Sequence, residues 1–255
     1  MKNLAISLSI FFLISSCVTV PYSQRKTLIL ISQDEEIALG GKTFEEMLKN
    51  VKLSEDKEKT ELVKKVGQKI ANVAEQQKYK WEFVLIEDSK TINAFCLPGG
   101  KVGFYTGILK LCPTEEDIAV VMSHEVAHAI ARHGAERITQ LMLINMGEDF
   151  ISAAIKNKLP QAQKAILTAY GLGTTLGVIL PFSRQNEYEA DYIGLILMAK
   201  SGYNPQSAIT FWERMLKFSS GKNIPEFLST HPNDEKRIEN IKKHLLEAMK
   251  YYQPQ

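Results

Sequence analysis

Ser123–Gly134 reads SHEVAHAIARHG, and within it His124, Glu125 and His128 set a carboxylate between two imidazoles four residues apart. Thr114 followed by Asp117 is a capping-box pattern, so a helix starts just before the stretch and carries it. On a helix, residues four apart lie about 40° apart, so His124 and His128 can hold one ion between them. Glu125 is turned about 100° from His124. That places it beside such an ion, where a general base can take a proton from water. Val120, Val121, Met122, Ala127, Ala129 and Ile130 make this helix apolar nearly all round. Such a helix is buried, and bare imidazoles inside it need partners. With this chain's composition, the three fixed residues arise by chance in roughly one such chain in a hundred. A metal site therefore outweighs a core helix with incidental histidines.

Catalytic zinc needs a third protein ligand and an open position. SRQNEYEAD (Ser183–Asp191) supplies candidates, because Glu187 and Asp191 are four apart and project from one helical face. One can bind the ion while the other accepts the free N–H of a ligating histidine. Glu189 is rotated about 200° from Glu187 and is expected to point away. His133, nine residues from His124, is expected on the opposite side and receives no ligand role. His231, in STHPND, can cap and turn a helix entrance, add a ligand, or steady a developing oxyanion.

The rest of the chain frames this centre. Its 255 residues are 45% apolar and 24% charged, enough for a full core in one large domain or two small ones. A formal net charge of +2 and no basic stretch interleaved with aromatics argue against a nucleic-acid binder. Helices are expected from Gln33 to about Val51, Glu55 to Ala74, Arg184 to Lys200, the Asn204-Pro205 break to Phe218, and Asn233 to Tyr251. KWEFVLIE (80–87) reads as a strand, and residues 92–107 read as two strands joined at Pro98-Gly99-Gly100. The fold class expected is α+β, mainly helical, with this small sheet ahead of the metal-binding helix. Ala165–Phe182 is apolar enough for a membrane span. A single span there would separate His124 from Glu187 across the bilayer, so it is read as a buried or groove-lining helix.

The N-terminus carries one lysine, an apolar run from Leu4 to Leu13, and Ile14-Ser15-Ser16-Cys17. That is an export-signal layout, too short for a good transmembrane helix, and its end resembles a bacterial lipobox. The expected organisation is a signal peptide over 1–16, a lipid on Cys17, a tether over 17–31 with little to pack, and one domain over 32–255. Val18 after Cys17 resembles outer-membrane sorting, facing the periplasm. Cys96 and Cys112 are expected as two buried thiols, since two cysteines make no disulfide framework.

Together these blocks resemble peptidase family M48, zincin-like metallopeptidases that include Oma-type proteases and bacterial quality-control lipoproteins. NAFCLPGGKVGFYTGIL (93–109) resembles the family's strands before the metal helix. HEVAHAIARHGAER (124–137) resembles that helix, SRQNEYEAD the third-ligand helix, and STHPNDEKRI (229–238) a C-terminal motif. The resemblance implies one zinc ion on His124, His128 and Glu187, with Glu125 as base and Asp191 behind a ligand. It also implies that His231 lies near the metal. The activity implied is hydrolysis of unfolded or misfolded envelope proteins. Substrate is expected to pair with the strand at Lys101–Tyr105 or its neighbour, meeting Gly103 and Phe104. The alternative is a lipoprotein chaperone that holds clients in a zinc cleft without cutting them, a role in which Glu125 has no use.

Overall fold

A computed structural model of the chain describes residues 17–145, 183–219, 225–231 and 235–253. The segment Ala165–Phe182 and residues 1–16, read above as a signal peptide, lie outside the described residues. Among the described residues, no helix is long and apolar enough to cross a membrane.

The chain enters as a hairpin. β1 (Cys17–Thr19) pairs antiparallel with β2 (Lys26–Leu28), Cys17 opposite Leu28. Val20, Thr27 and Ile29 are buried, so the stretch expected to be a loose tether is part of the body. Its few apolar side chains suffice because Arg25 fastens it, pairing with Glu136 and Glu189 at 2.9 and 2.7 Å.

α1 (Gln33–Leu48) opens on a capping box between Ser32 and Glu35, and α2 (Lys57–Val73) on an Asp56 cap. β3 (Glu82–Ile86), β4 (Ala94–Leu97) and β5 (Lys101–Tyr105) form a sheet in the order β3-β5-β4. β3 runs parallel to β5, and β4 antiparallel to it. The turn between β4 and β5 needs its glycines, since Gly99 and Gly100 hold φ of 83° and 81°. The sheet is covered on both faces. Phe83 and Leu85 join the main core, while Val84 and Ile86 pack with Phe44, Phe95 and Leu97 beneath α1.

α3 (Glu115–Ile130) carries the histidine motif. Thr114 and Asp117 cap it reciprocally, and every residue from Asp117 to Ile130 is buried. It stops because Arg132 adopts a left-handed φ of 58°, after which α4 (His133–Asn145) sets off in a new direction. An arginine disfavours that conformation by about 1–2 kcal/mol. The arginine side chain offsets it by binding Glu36 Oε2 at 2.7 Å and the Ile31 carbonyl at 2.8 Å.

α5 (Arg184–Lys200) packs along α3. Gly194 permits the approach, since a Cβ there would lie 3.3 Å from Ser123 Oγ and 3.4 Å from the His124 nitrogen. α6 (Ser207–Ser219), the short α7 (Glu226–Thr230) and α8 (Glu235–Ala248) close the structure over this pair. α7, which sequence pattern did not reveal, delivers His231 at its C-cap. Cys96 and Cys112 are free, buried thiols.

Candidate metal centre

Four side chains converge beneath α7. His124 Nε2 lies 3.1 Å from His128 Nε2 and 3.3 Å from His231 Nδ1. Glu187, on the first turn of α5, brings Oε2 to 3.4 Å from His124 Nε2 and Oε1 to 3.4 Å from His128 Nε2. His231 Nδ1 is 3.1 Å from Glu187 Oε1. All four residues are buried, and Phe227 stacks on the His231 ring at 4.6 Å.

This donor set fits a divalent cation on three counts. Donors about 2.0–2.1 Å from a tetrahedral zinc stand about 3.3 Å from one another, and the spacings here run from 3.1 to 3.4 Å. The Asp191 carboxylate accepts from His124 Nδ1 at 3.0 Å, so a neutral His124 keeps its proton on Nδ1 and presents the Nε2 lone pair to a cation. Charge points the same way. Glu187 and Asp191 are buried together against the guanidinium of Arg237, with Glu125 beside them, an acidic setting that favours a cation at the donors. Glu187 Oε2 also lacks a well-aligned hydrogen bond, although Arg237 Nη1 is 2.8 Å away.

The ionisation of the centre follows from these contacts. Burial opposes charging His124, and so does Arg237, yet Asp191 and Glu187 push it up to about 9. A proton would thus take up part of the role of a cation. Burial holds His128 well below its ordinary value and His231 down to about 4. Burial opposes ionisation of Glu187 too, but Arg237 and His231 keep its carboxyl well below the usual range. Glu125 is pushed up to about 8, chiefly by burial, while the backbone of Cys96 hydrogen-bonds its carboxylate. Its Oε1 lies 3.4 Å from His231 Nε2.

Behind the donors stand residues that the sequence reading left without a role. Arg237 is fully buried, with Nε 2.6 Å from Asp191 Oδ2 and its guanidinium 3.7 Å from the Trp212 ring centre. Its signal was available, because Arg237 shares one helical face with buried Ile241. His133 was expected opposite the centre. The break at Arg132 instead turns it back, so that its Nδ1 lies 2.9 Å from His128 Nδ1. Glu189 does point away from the donors, but into a buried contact, 2.8 Å from His133 Nε2.

Gly103 and Phe104, expected to meet substrate, do not stand at a free edge. They lie on β5, whose two edges are occupied by β3 and β4, and Phe104 is fully buried. Among the described residues no strand pairs with the outer edge of β4, which runs past Glu125 at Cys96.

A buried helix bearing His-Glu-x-x-His under a small sheet, with a glutamate from a second helix completing the donors, defines the zincin-like class of metal-centred folds. Within that class the chain belongs to Peptidase family M48, whose pattern matches residues 57–245. It is 38% identical over 234 residues to the "Mitochondrial metalloendopeptidase OMA1" of Schizosaccharomyces pombe, covering 90% of this chain and 66% of that one. The protein of the same name in Saccharomyces cerevisiae is 33% identical, with 91% and 70% covered. The "Beta-barrel assembly-enhancing protease" of Escherichia coli K12 is 32% identical over 218 residues, covering 82% of this chain and 43% of that protein.

Proposed function

We propose that this chain is a zinc-dependent endopeptidase, anchored by a lipid on Cys17, that cleaves misfolded or misassembled cell-envelope proteins. The observation that carries the activity is the donor cluster, whose spacings match the edges of a tetrahedral zinc site with Glu125 alongside. Zinc held by His124, His128 and Glu187 supplies the Lewis acid for peptide hydrolysis. Glu125 accepts a proton as the water oxygen bonds to the carbonyl carbon, and returns one to the leaving nitrogen as the C–N bond breaks. An extended substrate adds to the outer edge of β4, which brings its backbone past Glu125. That mode requires a locally unfolded substrate. The lipobox-like Ile14–Cys17 and Val18 support an outer-membrane anchor facing the periplasm.

His231 completes four donors, whereas a catalytic zinc keeps one position open. With zinc held by His124, His128 and Glu187, His231 would have to move off the ion to leave a position open for water. His231→Ala is expected to retain zinc on three donors and to cut an unfolded protein faster than wild type. A slower variant would assign His231 to the oxyanion instead.

The deciding experiment is Glu125→Gln, which keeps size and hydrogen bonding but cannot take a proton. Proteolysis of an unfolded protein should fall at least about a hundredfold, with zinc content and fold unchanged. Equal cutting by mutant and wild type would refute the assigned mechanism. If neither cuts and both protect clients equally, the chain is a holdase. For the anchor, Cys17→Ala should abolish labelling with palmitate; unchanged labelling would remove the lipid from the proposal.

A further inference from the structure

We infer that His133 is a positioning residue for the centre, fixing His128 in the tautomer and ring angle that present Nε2 to a metal. This rests on the zinc reading above. His133 Nδ1 lies 2.9 Å from His128 Nδ1, with the rings 4.8 Å apart and crossed at 76°. A ligand at His128 Nε2 must be met by a lone pair, which places the proton of that ring on Nδ1. His128 Nδ1–H then donates, and His133 Nδ1 must accept. A neutral His133 that accepts at Nδ1 carries its proton on Nε2, where Glu189 Oε2 receives it at 2.8 Å. One proton assignment closes every link, with both imidazoles neutral.

The relay continues to the β1–β2 hairpin. Arg25 of the β1–β2 hairpin holds Glu189 Oε2 through Nε at 2.8 Å and grips both oxygens of Glu136 with its two terminal nitrogens. Ser23 hydroxyl donates to Glu189 as well. His133 reaches His128 only because the helix breaks at Arg132, whose side chain is pinned to Glu36 and Ile31. An unbroken helix would place position 133 about 140° round from His128. The break, the pin and the relay thus serve one geometry. A histidine satisfied by Glu189 for burial alone would need no particular angle to His128.

The test compares zinc affinity of the full-length wild type, His133→Leu and His133→Asn by competition with a chromogenic chelator. Leucine keeps the volume and offers no acceptor. Asparagine places an amide oxygen near the position of Nδ1. His133→Leu should bind zinc roughly 10–100-fold more weakly, as for other residues that orient a ligating histidine. His133→Asn should recover most of that loss. Wild-type affinity in the leucine variant, or equal loss in both variants, would overturn the inference. A wild type that takes up no zinc would instead overturn the zinc reading. Nitrogen-15 spectra of the zinc-loaded wild type need no variant to fold. His128 protonated at Nδ1 and His133 at Nε2 supports the relay, and His133 protonated at Nδ1 breaks it.

Discussion

The two histidines of α3 are held by opposite means. On one flank, His124 meets a carboxylate directly, Asp191, and a fully buried arginine, Arg237, locks that carboxylate. On the other, His128 meets a second imidazole, then Glu189, then Arg25, whose side chain is 19% exposed. Both carboxylates come from α5, two residues apart. Two residues turn a helix by about 200°, so Asp191 faces the donors while Glu189 faces away, and an imidazole is needed to span the gap. The difference teaches that a helix can serve both flanks of a centre only if the far side is bridged by another element. Here α4, restarted at His133, supplies the bridge.

If the direct flank is the stiffer one, its arginine should matter most. Arg237→Leu leaves Glu187 and Asp191 buried without their cation. The metal-free protein should lose about 3–5 kcal/mol of stability, read from chemical unfolding; an unchanged midpoint would mean that the guanidinium is dispensable. Asp191→Ala should come next, weakening zinc binding roughly 10–100-fold. Combined with His133→Leu, the losses in affinity should multiply, because each acts on a different histidine. A double variant no worse than Asp191→Ala would show that the two flanks are one network.

The smallest effect belongs to the exposed end of the relay. Burial opposes ionisation of Glu189, yet His133, Arg25 and Ser23 hold its carboxyl at about 2. Burial likewise opposes Glu136, and Arg25 keeps it below its ordinary value. Depressed carboxyls stabilise the folded state above their unfolded value and lose that contribution as pH falls through the folded one. The hairpin should therefore loosen between about pH 4.5 and 2, seen as faster hydrogen exchange at Val20 and Thr27. Arg25→Met should bring that exchange to neutral pH and weaken zinc binding by only a fewfold, since partly exposed ion pairs contribute little. Protection that stays constant through this range in wild type would detach the hairpin from the relay.

The donor side was legible because its information is local. The spacing of His124, Glu125 and His128 fixes their angles on a helix, and the caps at Ser32 and Thr114 mark where helices begin. Pro98-Gly99-Gly100 announced a turn that only positive φ can make. The relay flank was hidden for a physical reason. A left-handed arginine leaves no mark in sequence, so α3 read as continuous past Arg132 and His133 fell on the wrong face. Strand order is equally non-local, which is why the sequence left both β5 and its neighbour open as the pairing strand, while the fold places β5 in the middle of the sheet. The hairpin was read as slack because Val20 and Ile29 are too few to form a pattern, and its ion pairs reach residues more than a hundred positions away.

If Cys17 carries the proposed lipid, that hairpin sets the working range of the molecule. An extended linker adds up to about 3.3–3.6 Å of reach per residue, and a flexible one lets an anchored enzyme sweep a volume well clear of the bilayer. Here Cys17, the first of the described residues, is already in the fold, paired with Leu28. The proposed lipid on that cysteine would leave no leash. The cleft of a molecule anchored in that way would stay close to the membrane, and the targets proposed for it would be those that unfold within about one protein diameter of the surface.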